Sequence, residues 1–157
     1  MKRIILTIIL GINLLSCSSD EGSEAVTLDI GVAISLQNQE GIDLFQSPEY
    51  NPDTFQIFYV IDGENVEIDN PNLDYPRNFY MLGTSPETMR LFLNSELSED
   101  NNSETLIKWN NAQSDLIKAH FRSGVENNED YLICDKIWVN DVLAWDGNGS
   151  RTIIIIK

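Results

Sequence analysis

An all-β sandwich is the fold this sequence predicts, and three observations carry it. Short runs of β-branched and aromatic residues recur from Val26 to Lys157. Turn-forming clusters such as Ser98-Glu99-Asp100-Asn101-Asn102 and Glu126-Asn127-Asn128-Glu129-Asp130 separate them. No segment sustains an apolar repeat of helical period; Ser85-Pro86-Glu87-Thr88, with Pro and Glu suited to a first turn, offers at most a short turn of helix. Two dipeptides, Asp62-Gly63 and Asn140-Asp141, join such runs in the manner of two-residue hairpin turns. Roughly eight to ten short strands at that spacing suit two packed sheets.

Taken in order, the chain opens Met1-Lys2-Arg3 and then runs apolar from Ile4 to Leu15, broken by Thr7, Gly11 and Asn13. A cationic start, an apolar stretch and a small residue at the break form the pattern of a secretory signal peptide. The stretch is shorter than the about 20 apolar residues of a permanent span. Leu14-Leu15-Ser16-Cys17 resembles a bacterial lipobox, departing from it in the bulk of Leu15. The resemblance implies that residues 1–16 are a lipoprotein signal peptide, cut before Cys17, and that Cys17 carries acyl chains. Each buried CH₂ then contributes about 0.8 kcal/mol, and two or more chains anchor where one does not. Residues 17–25 become the lipidated cysteine and an acidic tether. Ser18-Ser19-Asp20-Glu21 resembles the export signal of surface lipoproteins in Bacteroidetes-type bacteria, which implies an outer membrane lipoprotein facing the cell exterior. A solvated linker on a periplasm-facing anchor has the same composition.

The charge balance narrows the partners. Ten basic and 25 acidic side chains give a formal charge of −15. Loss of Lys2 and Arg3 with the signal leaves eight basic residues against the same acids, a formal charge of −17. No basic cluster survives in the sequence, which argues against nucleic acid, whose affinity rests on cations at phosphate. The acids favour solubility.

Residues 26–157 read as one β-sandwich domain. Val26 to Leu36 begins it, and Thr54 to Ile61 turns through Asp62-Gly63 into Asn65 to Ile68. Further strands are expected at Phe79 to Leu82, Met89 to Leu93, Thr105 to Asn110, Leu116 to Arg122, Tyr131 to Val139, Val142 to Trp145 and Arg151 to Lys157. In the last, Ile153 to Ile156 does not alternate, which predicts a strand central in its sheet or covered on both faces. Arg151 and Lys157 bracket it as charges that discourage aggregation.

Gly41-Ile42-Asp43-Leu44, the hairpin Ile57 to Gly63, Leu91-Phe92-Leu93-Asn94, Ile107-Lys108-Trp109-Asn110 and Lys136-Ile137-Trp138-Val139-Asn140 resemble small uncharacterised lipoproteins of Bacteroidetes-type bacteria with immunoglobulin-like domains. The resemblance covers most of residues 26–157 and rests on strand-and-turn patterning. It implies an immunoglobulin-like antiparallel β-sandwich and brings no active site with it.

The stretch KIWVNDVLAW, residues 136–145, is the most informative for binding. A turn at Asn140-Asp141 opposes Val139 to Val142, Trp138 to Leu143 and Lys136 to Trp145. Alternation then gives Ile137, Val139, Val142 and Ala144 to one face, and Lys136, Trp138, Leu143 and Trp145 to the other. Trp138 and Trp145, with Lys136, are the candidate ligand-binding residues, since indoles are favoured at interfaces. The competing reading covers both indoles with a loop or the opposite edge, and a one-residue slip moves both to the other face.

Other constellations read as structural. Ile107 and Trp109 belong to the core. Ile117, Ala119 and Phe121 form one face of their strand, leaving Lys118, His120 and Arg122 in solvent. Cys134, without a partner after processing, reads as a small buried thiol; pairing it with His120 for catalysis is the remote alternative. Asp69 to Asp74, Asp62 and Asp146-Gly147-Asn148 offer oxygen atoms to calcium but match no binding loop, and Asn and Asp suit such turns in their own right. No metal, cofactor or catalytic group is expected. The sequence thus points to a non-catalytic binding or accessory module at the cell envelope, with a glycan or protein as ligand. The alternative is a structural subunit of an envelope complex, assembled through strand-edge pairing.

Overall fold

Alternation of apolar and polar side chains along short strands sets the architecture. The structure is a computed structural model and describes residues 26–83, 86–126 and 129–157. The signal peptide, Cys17, the tether and Ser85 lie outside the described residues. The strands are β1 (Val26–Asp29), β2 (Gly31–Gln37), β3 (Gln56–Ile61), β4 (Glu64–Glu67), β5 (Phe79–Leu82), β6 (Thr88–Phe92), β7 (Asn102–Lys108), β8 (Ser114–Glu126), β9 (Glu129–Val139), β10 (Val142–Trp145) and β11 (Thr152–Ile156). The larger sheet runs β1-β9-β8-β7-β3-β4, with β10 also paired to β9; the smaller runs β11-β2-β6-β5. The two form the all-β sandwich that the patterning predicts.

Most pairs are antiparallel, but the sheets are mixed. β1 runs parallel to β9 and β11 runs parallel to β2. A hairpin cannot make either pair, because each joins segments far apart in the chain. The helical turn expected near Pro86 is absent from the described residues there: Thr88 already begins β6. Single turns of 3₁₀ helix lie instead at Pro48–Tyr50 and Pro52–Thr54. Each has proline in its first turn, with the side chains of Ser47 and Asn51 accepting the second residue's N–H.

Side chains from both inner faces fill the space between the sheets. Ile34, Leu36, Met89 and Leu91 of the smaller sheet meet Ile57, Ile107, Ile117, Phe121 and Ile137 of the larger, all fully buried. Trp109 is fully buried too, edge-on to Phe55 at 5.1 Å between ring centres. Its Nε1 donates to Asp115 Oδ2 at 2.5 Å.

Both predicted hairpin turns form. Asp62 and Gly63 take φ of 53° and 81°, and Asn140 and Asp141 take 48° and 65°. All four lie in the left-handed region that the tight turn demands. Asn140 fixes its own turn by accepting Leu116 N–H through Oδ1 at 2.9 Å and donating Nδ2 to Asp115 at 2.8 Å.

The expectation for Ile153 to Ile156 is corrected. β11 is an edge strand, with Ile153 and Ile155 buried while Ile154 and Ile156 remain 58% and 50% exposed. The outward isoleucines broke the alternation that marks a half-buried strand. Its bracketing charges are not free gatekeepers either. Arg151 Nη1 and Nη2 grip the Asp29 carboxylate at 2.6 and 2.8 Å, and Lys157 Nζ reaches Asp115 at 2.6 Å. Both ends of β11 are therefore tied across to the larger sheet.

Cys134 is buried, with Sγ 3.6 Å from Lys136 O. Burial pushes its thiol up to about 11. A folded pKa above the unfolded one gives stability that is complete below about pH 9 and is lost as pH rises through about 11. Native protein is therefore expected to resist a maleimide at pH 8 and to label at the rate of unfolding; rapid stoichiometric labelling without denaturant would contradict this burial.

Candidate functional site

Register decides what each sheet face displays. On β9, Val139 opposes Val142 and Trp138 opposes Leu143, as the turn requires. The ladder then shifts between Leu143 and Trp145, so that Trp145 opposes Ile137 instead of Lys136. Residues directly opposite in an antiparallel pair share a face. Trp145 therefore lies with the core-facing Ile137, and Trp138 stays on the outer face. Trp145 is thereby parted from Trp138, although Lys136 and Trp145 still border one pocket with Asp135 and Arg151.

The physical cause is the use to which Trp145 is put. Its ring packs against the core cluster, lies 4.7 Å from the Arg151 guanidinium, and donates Nε1 to Asn148 O at 2.9 Å. The inward course at Trp145 leaves Val142, Leu143 and Ala144 exposed. The expected core placement of Val142 and Ala144 is thus corrected as well.

Trp138 keeps a different company. Lys118 opposes it on β8, and Glu104 opposes Lys118 on β7. Lys136 lies two residues before it, exposed on the same outer face, opposite His120. A second register shift, between His120 and Phe121, leaves Asp135 as the extra residue of β9. Asp135 accepts from His120 Nδ1 at 2.6 Å and lies 3.4 Å from Arg122 Nε. At the far side of the face Lys108 Nζ lies 4.4 Å from the Phe58 ring centre. Lys108, Lys118, Arg122 and Lys136 are half of the eight cations beyond Arg3. Composition did not show that they share one sheet face, because the four come from three strands, with Lys118 and Lys136 beside Trp138 and Lys108 at the far end. Among the described residues neither Lys118 nor Lys136 has an ion-pair partner.

His120 and Cys134 are not brought together, since His120 faces outward on Asp135 and Cys134 lies in the core. No group of three or more His, Cys, Asp or Glu is placed to hold a metal among the described residues. Several of the oxygens weighed for calcium close turns: Asn70 Oδ1 accepts Asn72 N–H, and Asp146 Oδ1 accepts Asn148 N–H.

The sequence reading missed one surface altogether. On the outer face of the smaller sheet Tyr75 and Tyr80 stack at 4.4 Å between ring centres, 24° apart, and Phe92 lies 6.1 and 6.0 Å from them. Arg90 lies on the same face, opposite Tyr80 on one side and Ala33 on the other. The signal lay in the alternation of β5 and β6, where Tyr80, Arg90 and Phe92 are the residues that do not face the core.

No protein-family model, curated protein or solved structure matches the chain.

Proposed function

We propose that this protein is a lipid-anchored, non-catalytic binding or accessory module of the cell envelope. Its acyl chains on Cys17 hold it in the outer membrane, facing the exterior. Its ligand is a glycan or a protein, met by the outer face of the larger sheet. The observation that supports this reading is the placing of Lys118 and Lys136 beside Trp138 in a chain of formal charge −15. An indole beside two unpaired ammonium groups offers apolar contact and directed charge together.

The anchor is tested by protease shaving of intact cells, with Cys17→Ala as control. Loss of the wild-type domain while periplasmic markers survive supports outward display. Release of both forms into the medium would undo the anchor. For the ligand, Trp138→Ala and Lys136→Glu are expected each to weaken capture of envelope glycans or host proteins by about tenfold, and added salt to weaken wild-type binding. Capture unchanged in both variants would remove the larger sheet's face from consideration.

A second reading, a structural subunit joined by strand pairing, is favoured by one observation. Among the described residues, β11 has one backbone edge without a strand partner, beside exposed Ile154 and Ile156. A groove of about 470 Å³ runs from there to Val142 and Leu143 on β10. Such an edge is a template for another strand. Ile154→Lys should then abolish co-purification with a partner while leaving glycan binding intact.

A further inference from the structure

The four strands of the smaller sheet read GVAISLQ, FYML, TMRLF and TIIII, and Arg90 is their one charged residue. This is unusual company for a cation in so acidic a chain. The guanidinium does not reach out to a carboxylate. It lies back over Gly31, where a Cβ would come within 2.5–2.8 Å of its atoms. Gly31 has ordinary backbone angles, so its lack of a side chain serves to seat Arg90. Among the described residues Arg90 has no hydrogen-bond or ion-pair partner. Beside it stand Tyr80 and Phe92, half-buried, and Tyr75, 43% exposed.

We propose that the outer face of the smaller sheet is a second binding site, specific for a carboxylate-bearing polysaccharide. Tyr75, stacked on Tyr80 and 43% exposed, offers the open ring of the pair, which suits the C–H face of a pyranose ring. The guanidinium fork matches a carboxylate with two parallel hydrogen bonds. Arg90 is one cross-strand step from Tyr80 with its guanidinium leaning to the Gly31 side, so a sugar chain lying across β5, β6 and β2 sets one ring on the tyrosines and the carboxylate of a neighbouring residue on the fork. An acidic peptide fits less well. Peptides are held through a strand edge or through pockets for alternate side chains, and Arg90 lies on β6, an interior strand of its sheet. This site stands apart from the larger sheet's face and does not depend on it.

The test is calorimetric titration of the full chain in detergent with oligogalacturonate, and with the same oligomer methyl-esterified. Wild type is expected to bind the acid form. Esterification, Arg90→Gln, Tyr80→Ala and Gly31→Ala should each weaken binding by about tenfold or more, the scale of a lost charge-assisted contact. Gly31→Ala is the informative variant, because it retains every charge and ring and only displaces the guanidinium. Near-UV circular dichroism and the urea midpoint check that each variant folds. Trp138→Ala should bind as wild type does. Equal affinity for the ester, retention of binding in folded Arg90→Gln, loss in Trp138→Ala alone, or a preference for polyglutamate would each overturn the proposal. So would failure to bind any of oligogalacturonate, alginate and hyaluronan.

Discussion

Replacement of Asp115 by alanine is expected to lower the free energy of unfolding by about 3–5 kcal/mol, the cost of breaking a buried ion pair from one side. The carboxylate is buried, and three groups converge on it: Trp109 Nε1 at 2.5 Å, Asn140 Nδ2 at 2.8 Å and Lys157 Nζ at 2.6 Å. Its removal strands the donor of a fully buried indole and an ammonium whose side chain is 17% exposed. It also frees Asn140, whose positive φ sets the β9–β10 turn. Urea unfolding measures the effect as a lower midpoint with unchanged slope. Asp115→Asn, which retains one of the two oxygen acceptors but not the charge, should cost less. A midpoint unchanged in Asp115→Ala would mean that the convergence stabilises nothing.

Arg151→Met should cost about 3 kcal/mol, the upper scale for hydrogen bonds to a charged group. The guanidinium joins Asp29 of β1, the carbonyls of Asp29 and Gly31, and Cys134 O of β9, at distances from 2.6 to 3.2 Å. It also covers Trp145. Methionine preserves much of the apolar stem and loses the fork, so the measured loss isolates the polar contacts. Arg151 and Asp115 act at opposite ends of β11 and share no partner, so their costs should add in the double variant. A double variant no less stable than Asp115→Ala alone would instead make the two ends of β11 one unit.

These two side chains also mark where the sequence was legible. The hairpins at Asp62-Gly63 and Asn140-Asp141 could be read because a tight turn has local chemistry, and so could the inward faces of β7 and β8, where alternation is regular. The parallel pairs could not, because nothing local in Val26–Asp29 or Thr152–Ile156 names a neighbour about a hundred residues away. Trp145 was placed on the wrong face for the same reason: the shift that turns it inward follows from Arg151, which the turn sequence does not contain. The outer-face candidates divide likewise. Trp138 and Lys136 were found because one hairpin holds them, whereas Lys118 completes their surface from a neighbouring strand. Arg90 and its three aromatic neighbours come from separate segments and acquire meaning only in register.

The position of β1 bears on mechanical load. The described chain enters the sandwich at Val26, in a four-residue strand that runs parallel to β9 and is clamped at its far end where Asp29 meets Arg151. A module tethered from its N-terminal side and holding a ligand on a sheet face feels tension first along this strand. Tension along the strand axis loads the β1–β9 ladder and the Asp29–Arg151 clamp in shear, so they must yield together, unlike a hairpin peeled open bond by bond. Forced detachment is governed by the rate of that step, not by equilibrium stability. In a module anchored through Cys17 as proposed above, the short parallel edge would therefore set how long the fold holds under load.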